Sequence, residues 1–231
     1  MSKCMKRKLL CGCLVVGSLV GAPVAVNAAQ VAIQNSGFEL PDSANPLVGG
    51  GGLVFNGTPV PGWFSPAYPQ GGQWDITNFP YGVWNVPAPQ GKQVLYIGST
   101  ATPNYYEHTL LDPLEPNAMY TLTGVEGNPI GYQAPFTVEL RSGANILSSF
   151  TGGGTIGNFQ PFQVVFNSTG SAFVGGPLVI RLTSALQGAF DDVKLDRTAV
   201  PEPSTLVLLA LGSLFALVSR KKVKVIRARQ V

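Results

Sequence analysis

Tyr68, Trp74, Tyr81 and Trp84 fall in one stretch of this chain, interleaved with Gln70, Gln73, Asp75, Asn78 and Asn85. Flat aromatic faces beside amides and a carboxylate are what a pyranose site uses. The rings stack on the sugar and the polar groups take its hydroxyls. Trp74, Tyr81 and Trp84 are therefore candidate glycan-binding residues. The competing assignment, open at this stage, is that the rings pack the surrounding loop down. Trp63, which follows Pro61 and Gly62, reads as core, in keeping with the burial habit of large aromatics. His108 is the single histidine and lies inside an expected strand, where packing is its ordinary role. Glu107, Glu126 and Glu139 are the carboxylates available for glycoside hydrolysis, but that chemistry depends on spatial rather than sequence spacing. No His-Glu-x-x-His helix, Gly-x-Ser-x-Gly elbow or phosphate loop is present, so the motifs mark the chain as not an enzyme.

Charge and cysteine content narrow the classes further. Across residues 29–199 there are five basic and eleven acidic side chains, a net charge of −6, although the whole chain is +3. An acidic domain is unsuited to nucleic acid, whose affinity rests on phosphate neutralisation. All three cysteines, Cys4, Cys11 and Cys13, precede residue 29. The remainder can be neither a disulfide scaffold nor a thiol enzyme nor a Cys-zinc site.

The elements that must position these residues divide into three. Residues 1–28 are basic, then apolar, then end on Val26, Asn27 and Ala28, which reads as a signal peptide cleaved after Ala28. Residues 29–199 show no sustained 3.6-residue apolar period. Short alternating runs separated by Gly, Pro, Asn and Ser predict strands near 31–35, 73–78, 93–98, 105–110, 119–126, 136–141, 146–150, 159–166, 178–183 and 189–195. Many short strands at this spacing predict an all-β, antiparallel two-sheet β-sandwich. The alternation is cleanest at 137–141 and 178–182, which puts Glu139, Arg141 and Arg181 on one face. Long connections at 41–61 and 63–89 hold most of the aromatics and are the natural place for function. Residues 200–231 carry Pro201, Glu202 and Pro203, an apolar run over 206–218 and six basic residues beginning Arg220, Lys221, Lys222. The run is shorter than the ~20 residues of a full span, a shortfall that snorkelling and bilayer thinning can cover. The basic end places the C-terminus in the cytoplasm and the domain outside.

The order Pro-Glu-Pro, apolar helix, basic stop resembles the PEP-CTERM sorting signal of Gram-negative bacteria; only the length of the tail after Lys222 departs from it. The resemblance implies export across the inner membrane and transient anchoring by the tail. It also implies cleavage near the triplet by an exosortase, and a place at the cell surface or in an exopolysaccharide matrix. A second resemblance spans residues 29–199. Asn35-Ser-Gly-Phe-Glu39, Pro61-Gly-Trp63, Tyr120-Thr-Leu122 and Phe190-Asp-Asp-Val-Lys-Leu195 are spaced as in carbohydrate-binding-module-like jelly rolls of the galactose-binding-like fold. In several of these an acidic residue from each end of the domain binds a structural calcium. The resemblance places that role on Glu39 with Asp192, or with Asp191. The function expected is an exported structural or adhesive component of a biofilm matrix, the alternatives being a carbohydrate-binding module with a defined glycan site or a polysaccharide-active enzyme.

Overall fold

The computed structural model describes residues 28–40, 53–54, 59–66, 71–76, 83–98 and 104–200. Within these residues there are eleven strands and no helix. They are β1 (Ala28–Val31), β2 (Leu53–Val54), β3 (Gly71–Asp75), β4 (Gln93–Gly98), β5 (Tyr105–Pro113) and β6 (Ala118–Gly127). Then follow β7 (Phe136–Ser142), β8 (Asn145–Gly152), β9 (Phe159–Asn167), β10 (Pro177–Ser184) and β11 (Gln187–Ala199). The larger sheet runs β2-β3-β4-β11-β6-β9, with β1 also on β11; the smaller runs β5-β10-β7-β8. Every strand pair is antiparallel. The predicted two-sheet sandwich is thus the architecture observed. Tyr81, the Pro201–Glu202–Pro203 triplet and Arg220, Lys221 and Lys222 lie outside the described residues, as do the apolar tail and all of the expected signal peptide except Ala28, which begins β1.

The period-2 pattern explains why the sheets face each other. Along β6, Tyr120 and Leu122 turn inward while Met119 and Thr121 turn out. Leu95, Ile97, Leu122, Phe162, Val164, Phe190 and Leu195 of the larger sheet meet Tyr106, Phe136, Val138, Leu140, Ile180 and Leu182 of the smaller. The outward face of the smaller sheet carries the charges expected there. Arg181 sits opposite Glu107 on one side and Glu139 on the other. Its guanidinium bonds Glu107 (2.5 Å) and lies 3.9 Å from the Tyr105 ring centre.

Strand β11 organises the larger sheet. It pairs with β6 on one side and, on the other, with β4 at its start and β1 at its end. The first and last strands of the domain therefore lie side by side. That pairing brings the two ends of the domain to one corner.

Candidate cation corner and aromatic cluster

The chain leaving β1 makes a tight turn. Asn35 and Phe38 take left-handed backbone angles (φ 51° and 54°), and the Asn35 side chain closes the turn by accepting from Leu40 N (3.0 Å) and donating to Leu40 O (2.8 Å). Phe38 is driven into the core against Trp63, whose indole N–H donates to Gln34 O (3.2 Å). Glu39 is left at the rim of the corner. Its Oε1 accepts the backbone N–H groups of Lys92 and Gln93, both at 2.9 Å. Gly91 (φ 62°) makes this approach possible, since a Cβ there would lie 2.3 Å from the Glu39 carboxyl carbon.

Across the corner, β11 bulges between Asp191 and Lys194, with Asp192 at φ 51°. The bulge separates the two aspartates. Asp192 is turned toward solvent and pairs with Lys194 Nζ (2.8 Å). Asp191 is 0% exposed and accepts from Gln90 N and from Asp192 N, each at 2.7 Å. The carboxylate that the structure brings to Glu39 is therefore Asp191, the second of the two residues the closing motif offered. Burial pushes the Asp191 carboxyl up to about 8, and the charges of Asp192 and Glu39 push the same way against the two N–H donors. No described cation neutralises it. Among the described residues no group of three or more His, Cys, Asp or Glu side chains gathers. The corner therefore offers two carboxylates, all-oxygen donors of the kind calcium takes, with the remaining oxygens to come from backbone or water.

The tryptophans lie on the outer face of the larger sheet. Trp74 on β3 packs with Val94, Tyr96 and Ala189, covered by the 83–90 segment. Trp84 stacks on Phe159 (centroids 4.6 Å, planes 7° apart) and meets Trp74 edge-on at 6.0 Å; Tyr96 meets Trp74 at 5.0 Å. Burial pushes the Tyr96 hydroxyl well above its ordinary range. Trp74 is only 5% exposed, so its faces are spent on these neighbours. Trp84 is half-buried, and its indole N–H is buried with no hydrogen-bond acceptor among the described residues. The predicted strand at 73–78 contains Trp74; what the sequence did not show is that the 83–90 segment supplies the apolar neighbours that make this outer face a second core.

The remaining candidates part company. Glu107 and Glu139 share Arg181, and Glu139 also pairs with Arg141 (2.7 Å). Glu126 lies in the other sheet, 1% exposed, opposite Phe190 on β11 and Gln160 on β9. Gln160 donates to its Oε1, and Thr155 Oγ1 in turn donates to Gln160 Oε1 (2.8 Å). Burial raises the Glu126 carboxyl to about 7 despite that bond. His108 is buried against Trp63 (5.3 Å), and its Nδ1–H donates to Gly62 O (2.6 Å). Burial lowers its pKa, so the imidazole is neutral and serves packing.

Fold and site together define a cysteine-free β-sandwich whose two ends close on a buried acidic corner. The chain belongs to the HpiC1-like family, described as HpiC1 cyclase, whose model matches residues 29–196. A PEP-CTERM protein-sorting motif matches residues 199–222, which marks the chain for export and surface-associated secretion. Among solved structures, a cyclase from Fischerella sp. TAU is 25% identical with a TM-score of 0.62, covering 76% of this chain and all of that one. A cyclase from the same organism in complex with 4-(1H-indol-3-yl)butan-2-one is 26% identical, TM-score 0.62, covering 75% and 99%. The CBM22-1 xylan-binding domain of Paenibacillus barcinonensis Xyn10C is 20% identical, TM-score 0.44, covering 61% and 87%. Nothing among curated proteins matches the chain.

Proposed function

We propose that this chain is an exosortase-processed component of a cell surface or exopolysaccharide matrix, with a structural or adhesive role, and that its sandwich is braced by calcium held by Glu39 and Asp191. The observation that carries the reading is the junction between fold and motif. Strand β11 ends at Ala199, and Val200 N is tied to Asn117 O (2.7 Å) immediately before the Pro-Glu-Pro triplet. A cut there costs none of the eleven described strands. Bound calcium would supply positive charge at a corner where two carboxylates converge, drawing Asp191 into its ionised form. Mass spectrometry of the exported chain should find a C-terminus near Pro201–Pro203 and no residue of the 206–218 run. Pro201→Ala with Glu202→Ala should leave the chain full-length in the membrane fraction. Recovery of the unaltered chain full-length in the membrane would overturn the reading.

A second reading rests on the family match. The sandwich would bind an indole-bearing small molecule, as the relative from Fischerella does, with Glu126 as the carboxyl able to exchange a proton near neutral pH. Titration with 4-(1H-indol-3-yl)butan-2-one, followed by calorimetry, tests it. Binding that weakens at least about tenfold in Glu126→Gln would favour this reading, a single lost charged hydrogen bond being worth that much. Absence of binding at millimolar ligand would remove it.

A further inference from the structure

Both ends of the sandwich leave it at one place. Ala28 pairs with Thr198, so β1 starts beside the end of β11, and Val200 N is tied there to Asn117 O (2.7 Å). The connection from β5 to β6 and the one from β9 to β10 lie at the same end. They are joined by Leu114 N to Gly176 O (2.9 Å) and Gly175 N to Leu114 O (2.8 Å). The turn between β7 and β8 adjoins them, Gly143 N donating to Pro177 O (3.0 Å). Large apolar side chains stand open on this end: Leu111 at 99%, Phe173 at 40% and Val174 at 39%. Residues 142–180 contain no Asp, Glu, Lys or Arg, so the connection that presents Phe173 and Val174 is uncharged. The charges near it are Glu115, paired with Arg197, together with Asp112 and Asp196. Open apolar side chains gathered on one end mark a contact surface rather than a solvated one.

We infer that this end is a membrane-contact face, seated on zwitterionic lipid for as long as the tail is attached. The occupant follows from the length of chain beyond it. Only residues 201–205 separate Val200 from the apolar run at 206–218. Fully extended they reach about 20 Å, whereas β11, thirteen residues long, runs about 40 Å away from this end. The domain therefore cannot turn its far end to the bilayer, and a run shorter than a full span draws it closer. Aromatic and aliphatic side chains are the ones favoured at the lipid boundary. The charge of −6 over residues 29–199, with Asp112 and Asp196 near the face, turns it away from anionic headgroups. Three side chains make a weak contact by themselves. The tail sustains it by high effective concentration, and removal of the tail ends it. Seating also keeps Pro201–Pro203 at the bilayer surface, where a membrane protease works. The inference rests on the tail anchoring proposed above and adds which end of the sandwich meets the lipid.

Residues 29–231 hold every residue of the core and no cysteine, so single-cysteine labelling tests it. Phe173→Cys, Leu111→Cys and Leu186→Cys, the last in the exposed turn at the opposite end, each carry a bimane fluorophore. The chains are reconstituted into phosphatidylcholine vesicles containing a lipid with a nitroxide close to its headgroup, and thermal melts confirm that each labelled chain folds. Bimane at 173 and 111 should be quenched and bimane at 186 should not. Phe173→Ser with Val174→Ser should abolish the quenching at 111, and added phosphatidylglycerol should reduce it. Residues 29–199, without the tail, should not float with the vesicles. Chains that float but are quenched equally at all three positions, or at none, would overturn the contact face while leaving the tail anchoring intact. Chains of residues 29–231 that fail to float would remove both.

Discussion

Held in chelator, residues 29–199 should melt roughly 5–10 °C lower at pH 8.5 than at pH 5.5, and millimolar calcium should recover most of that loss. The cause is two carboxyls folded into places that disfavour their charge. Asp191 titrates near 3.8 when exposed and about 8 in the fold; Glu126 goes from 4.5 to about 7. In both, burial is the dominant cause. A carboxyl whose folded pKa is raised gives stability in full below its unfolded pKa, and that stability is lost as pH rises through the folded value. Between pH 5.5 and 8.5 the native state therefore gives up protons that the unfolded chain has already released. The two groups together set a ceiling of about 5 kcal/mol over that interval. Water entry and side-chain relaxation reduce it, and a domain of this size moves about 2–4 °C per kcal/mol.

Calcium held as proposed would change the sign at one group only. Coordination needs the Asp191 carboxylate ionised, so bound metal turns the alkaline loss at that residue into a gain. Glu126, on the inner face of the sheet, should keep its own dependence. Two variants separate the contributions. Asp191→Asn should flatten the alkaline part and abolish the calcium response, with a pH-independent offset of about 1 kcal/mol, because one amide oxygen must replace two acceptors. Glu126→Gln should flatten the part below pH 7 and leave calcium stabilisation unchanged. Melts that ignore both pH and chelator would remove the calcium corner and the buried state of Asp191 together.

Linear order disclosed some of this and hid the rest for identifiable reasons. The runs around 137–141 and 178–182 could be read as strands because their alternation survives in the register, which sets Arg181 against Glu139. The end of β11 was harder. Its apolar alternation stops at Leu195, yet the strand continues to Ala199 because β1 and β6 both hydrogen-bond its polar residues. The choice between Asp191 and Asp192 could not be made from adjacency, since it depends on a bulge that shows itself only as a positive φ. Trp74 lay in a predicted strand, but its burial comes from a covering segment that period-2 reasoning does not see. The sorting triplet was legible because a linear motif is read without a fold.

Phe190→Ala should be the most damaging single truncation in the larger sheet, at about 3–5 kcal/mol. Phe190 is fully buried on β11 and reaches across the sandwich. It meets Phe136 of the smaller sheet at 6.0 Å and Phe162 of its own at 6.4 Å, both close to edge-on. Losing the ring removes apolar burial and two aromatic contacts, and leaves a cavity between sheets that are each hydrogen-bonded and slow to collapse. Urea unfolding measures the loss. Phe64→Ala, at an exposed ring, should fall within about 0.5 kcal/mol of the unaltered chain and serves as the comparison. A second readout ties this residue to the first prediction. Glu126 lies directly opposite Phe190 in the register, and desolvation is what raises its carboxyl. A water-filled gap beside it should bring that carboxyl back toward 4.5 and flatten the pH dependence between 5 and 7. The calcium response at Asp191, on the other face of the same strand, should persist. A loss under 1 kcal/mol would show that the two sheets are not joined through Phe190. A full loss with the Glu126 titration unmoved would show that its elevation comes from burial away from this ring.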